Sequence, residues 1–135
     1  MPCAMADWEM QPNRLEFWPN VRELLAAMVR GGLAYAKATL PVEVTGVSTE
    51  VDVTVRQQPE RNRMMVHLLN YDPRVDRVKG PRLTVHPPAG RNVKRLFYPD
   101  TDTAIPFTQA GSGVAAPLRD FEVHDMAVVE WSRER

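Results

Sequence analysis

The chain has 135 residues, enough for one domain or one domain with an appendage, with 44% apolar and 25% charged residues. Lys plus Arg and Asp plus Glu each number 17, so the formal net charge is zero. No long-range field draws such a chain to nucleic acid or to an anionic membrane, which excludes both as expected partners.

The opening residues MPCAMADWEMQ combine neither a basic stretch nor an apolar run, so no signal peptide is expected. Residues 1 to about 18 are expected to be extended or poorly ordered. The single cysteine, Cys3, cannot form an internal disulfide and suits reduced, cytoplasmic conditions. No stretch approaches the roughly 18 apolar residues of a membrane-spanning helix.

The first regular element is a helix over 20–35. Asn20 and Glu23 have the spacing of a capping box. Val21, Leu24, Leu25, Met28 and Val29 then recur at helical spacing and form one apolar stripe. Gly31 and Gly32 weaken the helix by about 1 kcal/mol each relative to alanine, and Pro41 bars its continuation. A single amphipathic helix cannot bury its own stripe, so this one needs a sheet, a second copy or another domain against it.

The pattern changes near Thr39. Residues 1–39 are expected to form an extension and helix, and residues 40–135 a separate domain of strands. A short strand is expected at 42–45. Over 50–57, Val51, Val53 and Val55 alternate with Asp52, Thr54 and Arg56, as in a half-buried antiparallel strand. Pro59-Glu60-Arg61-Asn62 reads as a turn, Asn62 tolerating a left-handed backbone, and 63–71 as the partner strand of a hairpin. Both faces of 63–71 are substantially apolar, which predicts cover on both sides. Further strands are expected at 82–86, 92–98, 104–108, 113–116 and 122–131, at about ten-residue spacing. Twelve prolines and no intervening helix point to an antiparallel immunoglobulin-like β-sandwich of seven or eight strands with one N-terminal helix. The expected core is Val51, Val53, Val55, Val66, Leu68, Leu83, Val85, Val93, Phe97, Val123, Val128 and Val129.

The chemistry-bearing residues form no strong motif. His67, His86 and His124 lie on three different strands, and nothing in their spacing requires a metal; none is expected, nor a cofactor. Asp72 with Asp76, Asp100 with Asp102, and Asp120 with Asp125 are the nearby carboxylate pairs that glycoside hydrolysis would require. All lie at turns or strand ends, where carboxylates bond their own backbone. Asp100-Thr101-Asp102 offers too few oxygens for a calcium shell. Ser112 sits in a flexible Gly-Ser-Gly turn, not in a nucleophile elbow before a helix. Trp8, Trp18, Trp131, Tyr35, Tyr71 and Tyr98 are scattered rather than arrayed as a sugar-binding platform, with Trp131 read as core or edge cover.

One phrase is more specific. The run from Val21 to Pro73, and above all the hairpin VTVRQQPERNRMMVHLLNY, resembles a stretch of large bacterial and archaeal glycoside-hydrolase-like proteins. These carry a catalytic (β/α)-barrel, then a glutamine-amidotransferase-like domain akin to the β-galactosidase trimerisation domain, then a small C-terminal β-sandwich. Pro41-Val42-Glu43-Val44, Val51 to Pro59 and Val66 to Tyr71 carry the likeness, with Pro99-Asp100 and the ending VVEW matching in style. The resemblance covers about residues 15 to 132. It implies a non-catalytic accessory module of a carbohydrate-active enzyme, acting in domain packing or oligomer contact, with residues 1–39 a remnant of a preceding domain. The family's catalytic carboxylates belong to the barrel, so none is carried over. Gly31-Gly32 departs from the better helix formers usual in that family's helix. The alternatives are a carbohydrate-binding (lectin-like) module and a small hydrolase.

Overall fold

A computed structural model describes residues 21–133 of the chain. Two compact units divide between Thr39 and Leu40. Asn20 of the expected capping box, Cys3, Trp8 and Trp18 lie outside the described residues.

In the first unit, helix α1 spans Val21–Tyr35. The spacing that predicts its apolar stripe is realised, and the stripe is uncovered: Leu24 is 59% exposed, Leu25 56%, Met28 63% and Val29 60%. Gly31 and Gly32 lie within the helix with open space where a Cβ would stand. No tight packing contact calls for glycine at either position.

The second unit is a β-sandwich of nine strands: β1 (Val42–Thr45), β2 (Val51–Gln58), β3 (Arg63–Asn70), β4 (Arg82–Val85), β5 (Arg91–Tyr98), β6 (Thr103–Ala104), β7 (Thr108–Ala110), β8 (Gly113–Pro117) and β9 (His124–Arg133). One sheet has the order β1-β4-β8-β7 and the other β2-β3-β9-β5-β6. All pairings are antiparallel.

The β2–β3 hairpin follows from its own sequence. Period-two alternation sets eight register pairs, from Val51 opposite Asn70 to Gln58 opposite Arg63. The connection is a single turn of 3₁₀ helix, Pro59–Arg61, ended by Asn62 in the left-handed region at φ 49°. Proline presets the first dihedral and asparagine tolerates the last.

The expected single strand over 104–108 is instead two. Pro106 has no N–H to give a ladder, so pairing stops there. β6 before it belongs to the five-stranded sheet and β7 after it to the four-stranded sheet, so the chain crosses between layers at Ile105-Pro106-Phe107. Ile105 is buried at the crossing and hydrogen-bonds Leu96 through its N–H at 2.8 Å.

The core lies between the sheets. Met64, Val66 and Leu68 of β3, Leu96 and Tyr98 of β5 and Ala127, Val129 and Trp131 of β9 meet Leu83 and Val85 of β4 and Val114 and Ala116 of β8. Val53, Val55 and Val93 are half-buried against this cluster. Trp131 takes the core place expected of it. Val123 does not: it is 66% exposed. It stands just before β9, in a bend whose carbonyl is drawn to the Asn70 N–H at 2.8 Å.

The two faces of β3 are unequal. Met64, Val66 and Leu68 are fully buried, whereas Met65, His67 and Leu69 are half-buried. Within this unit no other element lies over the outer face of β3. Partial shielding of the outer face comes from its own rows: Met65 aligns with Val128 of β9, which aligns with Phe97 of β5. Phe97 is capped by the Arg95 guanidinium, 4.2 Å from the ring centre.

Candidate functional site

A cluster of polar groups gathers at one end of the five-stranded sheet, where β5 leaves at Tyr98 and β9 begins at His124. Alternation along β9 turns Asp125 inward with Ala127, Val129 and Trp131. Its side chain is 3% exposed, and an isolated carboxylate there would be costly. Arg119, in the segment after β8, compensates it. The Arg119 Nε and Nη2 donate to the Asp125 carboxylate at 2.6–3.2 Å. The same Nη2 donates to Asp100 Oδ2 at 2.8 Å. The guanidinium also lies over the Tyr98 ring, 4.1 Å from its centre, while the Arg119 backbone N–H donates to Tyr98 Oη at 2.5 Å.

The electrostatics follow from this clamp. Hydrogen bonds that Arg119 donates to both aspartates, Asp125 foremost, hold its proton more tightly than in water. The Arg119 guanidinium lowers the Asp100 carboxyl below its ordinary range. Burial pushes the Tyr98 phenol up. Neither Asp100 nor Tyr98 is thereby made a general acid for neutral pH, since glycosidic acids need a raised carboxyl.

An open cleft of about 320 Å³ adjoins the cluster, lined by Pro99, Asp100, Arg119, His124, Asp125 and Met126. A shallower depression continues past it towards Arg77 and Glu122, which form an exposed ion pair. His124 borders both. Across the β3–β9 ladder it meets His67, with Nδ1 of His67 3.4 Å from Nε2 of His124. Burial, and then the charges of His124 and Arg56, lower the His67 pKa, favouring the neutral ring.

The remaining candidates go elsewhere. His86 directly follows β4 of the other sheet, with Ser112 Oγ 3.5 Å from its Nδ1. None of the three sequence-adjacent carboxylate pairs forms a unit. Asp72 is buried and caps its own turn, accepting the Arg74 backbone N–H and Nε at 3.0 Å each. Asp102 pairs with Arg95 at 2.7 Å, and Asp120 accepts the Gly80 N–H at 2.8 Å. Tyr35 and Tyr71 are exposed, and Tyr98 is in the core cluster. Among the described residues no three of His, Cys, Asp and Glu gather at one point, and no helix is long and apolar enough to cross a membrane.

The polar exit of β3 proves structural. Asn70 Nδ2 donates to the carbonyls of Val75 and Glu122 at 2.8 and 3.0 Å, and its Oδ1 accepts the Asp72 N–H at 3.0 Å. One amide thereby joins the strand end, the following loop and the bend before β9.

Comparison with solved structures gives a likeness of fold. The chain is similar to part of alpha-L-fucosidase isoenzyme 2 from Paenibacillus thiaminolyticus. The TM-score is 0.59 at 23% identity, over 69% of this chain and 16% of that one. The match thus spans about a sixth of the fucosidase chain. No protein-family profile matches the sequence, and no curated protein does.

The Arg119 cluster was missed by sequence reasoning, which paired Asp100 with Asp102 and Asp125 with Asp120. Its members lie 19 and 6 residues from Arg119. The available signal was Asp125 itself, which falls on the inward parity of a strand that is otherwise apolar there.

Proposed function

We propose that this chain is a non-catalytic accessory module of a carbohydrate-active enzyme, an immunoglobulin-like β-sandwich that acts in domain packing or oligomer contact. The observation that carries this reading is the exposed stripe of α1. Leu24, Leu25, Met28 and Val29 share one face and are all more than half exposed. A 15-residue helix containing two glycines is marginal in water without a covering surface. The sandwich, by contrast, closes its own core. The fold likeness to a sixth of a fucosidase chain supports the enzyme class, with the rest of such an enzyme supplying the cover. Residues 1–39 are then the end of a preceding domain. The Asp100 carboxyl of the cleft, clamped by Arg119 and held below its ordinary range, supports a non-catalytic role, and a single cysteine suits a cytoplasmic setting.

Sedimentation velocity combined with circular dichroism tests it. The isolated chain either self-associates as concentration rises or stays monomeric with α1 unfolded for want of its partner domain. A millimolar monomer that keeps α1 fully helical refutes the reading.

The cleft favours a second reading, a carbohydrate-binding module. Pro99 and Met126 give an apolar wall, and Asp100, Arg119 and His124 give donors and acceptors for hydroxyl groups. Titration calorimetry with neutral oligosaccharides decides it; no heat at millimolar sugar rules it out.

A further inference from the structure

Sheet register brings together two imidazoles that are 57 residues apart in sequence. His67 lies opposite Met126 and His124 opposite Leu69, so the histidines are diagonal neighbours on the outer face of the β3–β9 pair. Their ring centres are 5.7 Å apart, with the planes tilted by 33°. The 3.4 Å between Nδ1 of His67 and Nε2 of His124 is long for a nitrogen–oxygen-type hydrogen bond, which prefers about 2.7–3.2 Å. It equals the bite of a chelate. Two nitrogens each about 2.0–2.1 Å from a zinc ion, at the tetrahedral angle, stand about 3.3–3.4 Å apart.

We infer that His67 and His124 are paired ligands for zinc or another late first-row divalent cation that accepts tetrahedral geometry, on the outer face of the five-stranded sheet. Imidazole is a borderline ligand that suits these ions and not magnesium or calcium. Either ring nitrogen can ligate, so the mixed Nδ1 and Nε2 approach is no obstacle. Arg56 of β2 acts on His67, and Asp52 of β2 shares the register row of Leu69 and His124. With two protein ligands the remaining positions are filled by water, so the site is a modest one. It stands independently of the accessory role proposed above.

The test is titration of the full chain with zinc chloride. Binding is followed by calorimetry and by nitrogen NMR of the histidine side chains. One equivalent is expected, with selective shifts at His67 and His124 and no response to magnesium. His67→Ala and His124→Ala each weaken binding at least tenfold, while His86→Ala and Cys3→Ser leave it unchanged. Both target side chains are away from the fully buried core, and the wild-type NMR shifts report the ligands even if a variant folds poorly. The inference is overturned by no binding at millimolar metal, by shifts confined to His86, by loss of binding in Cys3→Ser, or by full binding in a His67→Ala, His124→Ala double variant.

Discussion

Replacing Arg119 by methionine isolates the role of the clamp, because methionine keeps the unbranched apolar stem and removes the charge. Asp125 then keeps a carboxylate that is 3% exposed with no cation to meet it. Breaking a fully buried ion pair from one side costs about 3–5 kcal/mol. Arg119 is itself 39% exposed, so water reaches the place it vacates and the loss is smaller, about 2–4 kcal/mol. Two smaller contacts go with it, the stacking over Tyr98 and the ion pair to Asp100. For a domain of this size each kcal/mol moves the melting temperature by about 4–8 °C, so a fall of at least about 8 °C is expected. Urea and thermal denaturation followed by circular dichroism read it directly. The double variant Arg119→Met, Asp125→Leu removes the orphaned charge and regains much of the loss. Refutation takes one of two forms. A single variant within about 0.5 kcal/mol of wild type would make the clamp an ordinary surface pair. A double variant no better than the single would move the cost to lost packing.

Asp72 should titrate at about 2, held down first by the Arg74 side chain and then by the Arg74 backbone N–H. A depressed folded pKa stabilises the fold above the ordinary carboxylate value near 4. That contribution drains away as pH falls from about 4 to 2, and carboxyl NMR with acid unfolding checks both. Asn70→Asp exchanges a donor for an acceptor facing the carbonyls of Val75 and Glu122, and should cost about 1–3 kcal/mol in chemical denaturation. Gly113→Ala puts a methyl 2.3 Å from the Val85 carbonyl oxygen and 2.9 Å from His86 Nδ1. Relief requires a backbone shift between β4 and β8, and a loss of about 1–3 kcal/mol is expected on unfolding.

What could be foreseen was local. The β2–β3 hairpin, the Asn62 turn and the Ala110–Gly113 turn declare themselves through period-two alternation and turn residues a few positions apart. The paired apolar faces of 63–71 belong to an interior strand, but faces half-shielded by neighbouring side chains look the same in sequence as faces covered by a domain. Pro106 was present in the predicted strand 104–108, where its missing donor was a sign of division not used. Val123 sits where alternation alone puts it inside, yet the Asn70 hydrogen bond holds it in a bend. The Arg119 cluster and the histidine pair depend on which strands become neighbours, and β9 meets β3 only through register. Spacing along the chain carries no trace of that.

The crossing at Pro106 has a consequence for cooperativity. β6 and β7 are separated by three residues yet belong to opposite layers, so neither sheet can open far without pulling on the other. A sandwich joined only by side-chain contacts can lose one layer first. Here the short covalent span ties the edge of one layer to the edge of the other, and the two are expected to melt together as one thermodynamic unit.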